Sequence, residues 1–130
     1  MMSKEEHIAY WKETAETDWD TAVYLYNGAK FHMALFMFHL VLEKLMKAHW
    51  VKDNINNIPP FSHDLENIYN QTDLELDMDT IDYFSIISKW NTTSRYPDEK
   101  RKIYRLATNE YTLEHFNKVS IIRKCLLENL

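Results

Sequence analysis

The first candidates for chemistry are His63 and Asp64, which stand side by side in the segment FSHDLENI. A histidine at the start of a helix can donate a hydrogen bond to a phosphate or act as an acid–base group. The structural alternative is helix capping, in which the helix dipole favours Asp64 and the imidazole covers the preceding loop. Because a lone histidine needs a partner to be catalytic, capping is the favoured interpretation.

The second candidate is the run Arg95-Tyr96-Pro97-Asp98. Arginine presents a planar fork that suits phosphate or carboxylate, and tyrosine can stack on a base or hydrogen-bond a ligand. Alternatively, Arg95 covers the last carbonyls of a preceding helix, Asp98 pairs with it, and Pro97 ends that helix. This structural role explains the proline and part of the arginine, but it explains the tyrosine poorly.

Cations are concentrated around the second candidate, although the chain carries a net charge of −5. Positions 95–105 hold five cationic and two acidic residues, a local charge of +3 that leaves −8 elsewhere. The cations that follow Arg95 are Lys100, Arg101, Lys102 and Arg105. This run predicts a local anion site for a phosphate or an RNA backbone, or with equal weight a solvated loop and helix start.

A third polar group, Glu43, Lys44 and Lys47, ends a long apolar segment. Glu43 and Lys47 have the favourable i, i+4 order for an ion pair within one helix. Lys44 and Lys47, with Glu43, could line the wall of an anion site opposite Arg95. An internal ion pair explains two of the three without a ligand.

The sequence lacks the residue patterns that a metal site, a glycine-rich phosphate loop or a disulfide would require. His32 and His39 lie two turns apart on one predicted helix face, but a metal site needs more ligands. A single glycine rules out a glycine-rich phosphate loop. Cys125 is the only cysteine, so the fold needs no oxidising compartment. We expect no catalytic residue set, no metal and no cofactor.

Length and composition predict the fold class. A chain of 130 residues with 45% hydrophobic residues can build one core, so positions 1–130 are expected to form a single helical domain. One glycine and three prolines leave little turn chemistry, which favours a few long helices over many strands. We predict an all-α, antiparallel up-and-down bundle of four to five helices. The longest apolar stretch has ten residues, Met33 to Leu42, too short to span a bilayer, and a soluble cytoplasmic protein is expected.

Five helices can be placed along the chain. The first begins near Ser3 and ends at Asn27-Gly28, where Gly28 can adopt the left-handed conformation. The others are expected at Lys30 to Asp53, His63 to Gln71, Asp79 to the stop at Pro97, and Glu110 to Leu130. The second helix is apolar nearly all round, so it is either the central helix or meets another chain, and a homodimer is expected.

Three segments together resemble the HEPN domain family: FMFHLVLEKLMKAHW from Phe36, FSHDLENI from Phe61, and SRYPDEK from Ser94. The resemblance runs from about Trp19 to Asp98. It implies an antiparallel helical bundle that commonly dimerises. It also implies a partnership with a minimal nucleotidyltransferase, often in a toxin–antitoxin pair.

Some HEPN proteins are ribonucleases that use an arginine followed four to six residues later by a histidine. None of the four arginines here has a histidine at that spacing, so the resemblance implies the branch with the Arg-Tyr-Pro-Asp ending. The leading hypothesis is a non-catalytic subunit that dimerises and binds a nucleotide or a nucleotidyltransferase. The alternatives are a ribonuclease with a displaced site at His63 and Arg95, and a purely structural interaction module.

Overall fold

The computed structural model describes residues 1–93 and 95–130, so Ser94 of the third segment lies outside the described residues. The described chain folds into helices without a strand. They are α1 (Lys4–Asn27), α2 (Phe31–Asp53), α3 (Leu65–Tyr69), α4 (Met78–Ser88), α5 (Pro97–Leu106) and α6 (Asn109–Glu128). The all-α prediction is confirmed, and the described residues form six helices instead of four to five.

α1 and α2 form an antiparallel hairpin. The predicted capping box is present, since the Ser3 side chain accepts from the Glu6 backbone and the Glu6 side chain accepts from that of Ser3. At the other end, Gly28 has φ −88° and it is Ala29 that takes the left-handed conformation, with φ 59°. The prediction of a left-handed Gly28 was therefore wrong by one residue.

α2 is the central helix of the bundle. Fourteen of its residues are buried, and they extend from Ala34 to Val51. All five other helices contact it. The C-terminal half of α2 is thus enclosed within one chain. In the N-terminal half Met33 is exposed, and Phe36, Met37 and Leu40 are only half-buried, so the homodimer stays a prediction.

Pro97 has the opposite role from the one predicted. α4 ends at Ser88, well before the proline, and Pro97 occupies the first turn of α5. That position suits proline because the missing N–H has no helical partner there and the fixed φ is already helical. The segment expected as a loop and helix start is therefore a ten-residue helix that carries the basic run.

Two aspartates are N-caps that determine where α3 and α4 begin. Asp64 accepts from the backbone N–H groups of Glu66 and Asn67 and so begins α3. Asp77 accepts from the backbone N–H of Thr80 and begins α4. In the described residues no helix is both long enough and apolar enough to cross a membrane.

Candidate functional site

A cleft of about 580 Å³ opens between α3, α4 and the start of α5. Its wall brings together the first two sequence candidates, His63 and Arg95 with Tyr96, which are far apart in the chain. The complete lining is His63, Asp64, Glu66, Phe84, Ser85, Ser88, Asn91, Arg95, Tyr96 and Glu99. Helix α3 and its capping loop supply one wall, α4 supplies the second, and the entry to α5 supplies the third.

The Arg95 guanidinium is held by three contacts. Nε donates to the Asn91 carbonyl and Nη2 donates to the Ser88 carbonyl, both at 3.2 Å. Nη1 lies 3.5 Å from the Glu99 carboxylate. Arg95 therefore covers the end of α4, as the structural alternative predicted, and Glu99 takes the pairing role expected of Asp98. Because a guanidinium has five N–H donors, two remain for a ligand.

Of the two residues that follow Arg95 in the predicted site, Tyr96 lines the cleft and Asp98 does not. Tyr96 is the residue before α5, and its side chain is 80% exposed at the edge of the cleft. Asp98 lies in the first turn of α5, where the helix dipole favours a carboxylate. Asp98 does not line the cleft, so the structure separates it from the site predicted for it.

His63 has the partner that its sequence context did not reveal. Its Nδ1 donates to Glu43 Oε1 at 2.9 Å, and 58% of its side chain is exposed. His39 Nε2 donates to the backbone carbonyl of His63 at 3.1 Å. The capping role belongs to Asp64 alone, while α2 holds His63 by both its ring and its backbone.

Glu43 belongs to a buried charged cluster inside the bundle. Lys47 Nζ donates to Glu43 Oε2 at 3.1 Å, and both residues are buried. Lys47 also stands over the Trp11 ring, 5.4 Å from its centre. Burial lowers the pKa of His39, which keeps this fully buried ring neutral. The cluster is a fixed support beneath His63.

The two lysines predicted for the site are not at the cleft. Lys47 is enclosed between Glu43 and Trp11, and Lys44 pairs with Asp18 on α1. Neither residue lines the cleft. The predicted internal pair of Glu43 and Lys47 is present, so the alternative that needed no ligand describes these residues better.

Sequence reasoning missed two contacts that had a detectable signal, that of Glu43 with His63 and that of Glu99 with Arg95. Glu43 lies in the most apolar part of the sequence, and a buried carboxylate has two oxygens that need donors, of which Lys47 satisfies one. Glu99 follows Arg95 by four residues, the spacing for an ion pair on a helix face. The contact of Arg95 with the Asn91 carbonyl could not be predicted, because every residue has a backbone carbonyl and the residue type gives no indication of this contact.

The basic run lies on the exposed surface of α5. Lys100, Arg101, Lys102 and Arg105 are exposed, and within the described residues none of them has an ion-pair partner. Grooves of about 340 and 480 Å³ flank the helix. Anions approaching the cleft from this side meet uncompensated positive charge, and that attraction falls with salt.

The described residues hold no group of three or more His, Cys, Asp or Glu side chains arranged to bind a metal. Two histidines of α2, His39 and His49, instead contact backbone carbonyls, and His49 Nε2 donates to the Leu126 carbonyl at 2.8 Å. Burial lowers the pKa of His49. His49 is therefore a neutral core residue that joins α2 to α6.

The family comparison extends the resemblance beyond the three segments. The model of the HEPN domain matches residues 8–130, which includes α6 as well as the segments around the cleft. No curated protein and no solved structure matches the chain significantly. The match covers nearly the whole sequence, and the chain therefore belongs to the HEPN domain family.

Proposed function

We propose that this protein is a non-catalytic HEPN-type subunit that binds a nucleotide in the cleft between α3, α4 and α5. The observation that carries the proposal is the meeting of His63 and Arg95, each fixed by its own contacts, at one cleft. Small-ligand sites typically have volumes of about 300–1,000 Å³, and this cleft is within that range. Tyr96 adds an exposed aromatic face beside it.

The non-catalytic part rests on the missing ribonuclease motif and on the state of Arg95. The arginine is engaged with Ser88, Asn91 and Glu99, so three of its contacts stabilise the segment between α4 and α5. Family membership supports a nucleotide-related role. Partnership with a minimal nucleotidyltransferase, as in a toxin–antitoxin pair, and homodimer formation complete the proposal.

Calorimetric titration with ATP, a nucleoside monophosphate and a short RNA, at low and high salt, tests nucleotide binding. His63→Gln and Arg95→Lys should each weaken binding, because each alters one polar group on the cleft. His7→Gln and Lys124→Gln are matched controls on α1 and α6 and should bind as the parent protein does. Binding of no nucleotide by the folded protein would contradict the proposal.

A second candidate, a ribonuclease with a displaced site, is favoured by one observation. Glu43 on Nδ1 of His63 has the arrangement in which a carboxylate orients a histidine for acid–base work. Incubation with single-stranded RNA and tRNA separates the two candidates. The leading proposal expects no cleavage, whereas cleavage that is lost in both His63→Gln and Arg95→Lys would establish the second.

A further inference from the structure

The charges that line the cleft restrict the ligand it can hold. Asp64, Glu66 and Glu99 contribute three carboxylates against the single guanidinium of Arg95. The basic run of α5 lies outside this lining, so within the cleft each additional negative charge on a ligand is repelled by the excess of carboxylates. The cleft is thus poorly suited to a triphosphate or a polynucleotide chain, both of which concentrate many charges.

The polar groups that remain free point to two kinds of ligand atom. Arg95 has two unused N–H donors, and the exposed imidazole of His63 lies on the same cleft. The Glu66 carboxylate has no hydrogen-bond partner among the described residues, while Asp64 is engaged as a helix cap and Glu99 with Arg95. One anionic group and a set of hydroxyl donors would satisfy these positions together.

We propose, on the basis of the proposed nucleotide-binding function, that the cleft takes a nucleoside monophosphate. Its phosphate contacts Arg95 and Nε2 of His63, and its ribose hydroxyls donate to Glu66. A single phosphate balances the donors without meeting the full repulsion of the three carboxylates. The exposed ring of Tyr96 offers aromatic surface to the base, while Phe84 lines the cleft as an almost fully buried core residue.

The contact between Glu43 and His63 makes this binding dependent on a proton. A carboxylate accepts a hydrogen bond, so Glu43 holds a proton on Nδ1 of His63. A neutral His63 then presents only a lone pair at Nε2, which a phosphate oxygen cannot use. A phosphate contact at Nε2 requires the imidazolium, or a proton carried by the phosphate itself, and binding takes up a proton from the neutral state.

Several charged or titratable side chains surround His63. α2 presents Glu43, His39 and Lys47, Asp64 is next in the chain, and Arg95 and Glu99 share the cleft. Burial lowers the pKa of His39 and keeps it neutral as a donor to the His63 carbonyl. His63 lines the cleft with Nδ1 engaged by Glu43, so a phosphate reaches its ring at Nε2, and Glu43 is its positioning residue.

Calorimetry with AMP, adenosine, ATP and inorganic phosphate, in two buffers of different ionisation heat, tests this assignment. AMP should bind with uptake of up to about one proton, and its affinity should rise as pH falls from about 8.5 to 6.5, above the second ionisation of a phosphate monoester. ATP should bind about tenfold more weakly than AMP. Adenosine and phosphate alone should each bind more weakly than AMP.

Two variants separate positioning from folding. In Glu43→Gln the amide can donate to Nδ1, which allows a proton on Nε2 of neutral His63, so AMP binding should lose most of its pH dependence. His63→Gln, at an exposed position, should lose both the proton uptake and about tenfold in AMP affinity. The control His7→Gln should keep both. Circular dichroism verifies that each variant is folded.

The outcomes distinguish this inference from the function on which it rests. ATP or RNA binding more tightly than AMP, with loss in Arg95→Lys, would overturn the monophosphate assignment and leave the nucleotide site in place. AMP binding without proton uptake, or unchanged in His63→Gln, would also overturn it. Failure of every nucleotide to bind would remove the proposed function and this inference together.

Discussion

At the scale of single residues, the site depends on a charged cluster that is buried within α2. Glu43 has Lys47 on one carboxylate oxygen and His63 on the other. Such a pair contributes little to stability compared with an apolar pair of the same volume, but removal of one partner leaves a buried charge without compensation. Its effect is to hold His63 at the cleft.

Glu43→Ala should therefore lower the free energy of unfolding by about 3–5 kcal/mol, since Lys47 is left buried and unpaired. The double variant Glu43→Leu with Lys47→Met should recover much of that loss. Urea denaturation measures both. Glu16→Gln, which breaks the exposed pair with Arg123, is the control and should cost less than about 1 kcal/mol. Equal losses in the two single variants would contradict a buried cluster.

Phe38 is the residue at which the core packing is easiest to test. Its ring is fully buried and lies near Trp19, Trp90 and Phe116. Phe38→Ala should destabilise the protein by about 3–5 kcal/mol, because it removes apolar contacts and leaves a cavity. Thermal or urea unfolding gives the value. A change below about 1 kcal/mol would show that α2 is not the central helix.

Buried histidines predict how stability depends on pH. Burial lowers the pKa of His39, His49 and His115 below the ordinary value of 6.5. The unfolded chain then binds more protons than the folded chain, so the stabilising contribution is complete above about pH 6.5 and falls as pH drops toward the lowered values. Urea midpoints measured from pH 7.5 to about pH 5 should decrease. A midpoint that rises on acidification would contradict neutral, buried rings.

At the scale of the helices, the two ends of α1 show which local features can be predicted from a sequence and which cannot. Ser3 and Glu6 formed the predicted capping box because a cap depends on residues three apart. The left-handed position at the other end was assigned to Gly28, but Ala29 occupies it. Residue preference alone suggested the glycine, whereas the position depends on how α1 meets α2.

The same hairpin gives a stabilising substitution. Ala29→Gly should raise the free energy of unfolding by about 1 kcal/mol, because φ 59° places the alanine side chain close to its own backbone and glycine has no such penalty. Ala22→Gly, in the interior of α1, is the opposite control and should destabilise the protein. Differential scanning calorimetry compares the two. A loss of stability in Ala29→Gly would contradict the left-handed assignment.

The helices around the cleft were only partly predictable. Pro97 was expected to stop a helix, since proline disfavours helical geometry in the residue before it. It begins α5 instead, as both roles place a proline beside a helix end and the sequence does not indicate which side. The meeting of His63 with Arg95 was a hypothesis from residue chemistry, and their common cleft arises from the packing of α3, α4 and α5.

At the scale of the whole molecule, the exposed apolar surface bears on the predicted homodimer. Met33 of α2 is exposed, and large apolar side chains are also exposed on α1, α4 and α6, among them Tyr24, Ile86 and Ile121. We expect a homodimer that uses such a surface. Light scattering at micromolar concentration should give about twice the chain mass of 15.7 kDa. A concentration-independent monomer would contradict the expectation.

The most direct test of the cleft as a nucleotide site is a backbone amide NMR spectrum recorded during titration with AMP. Binding in the cleft should shift the resonances of Ser85, Ser88, Asn91 and Tyr96, which line it, and those of His63. Resonances of the groove on the other flank of α5, such as His32 and Met33, should stay in place. Shifts confined to that groove, or no shifts at saturating AMP, would contradict the account.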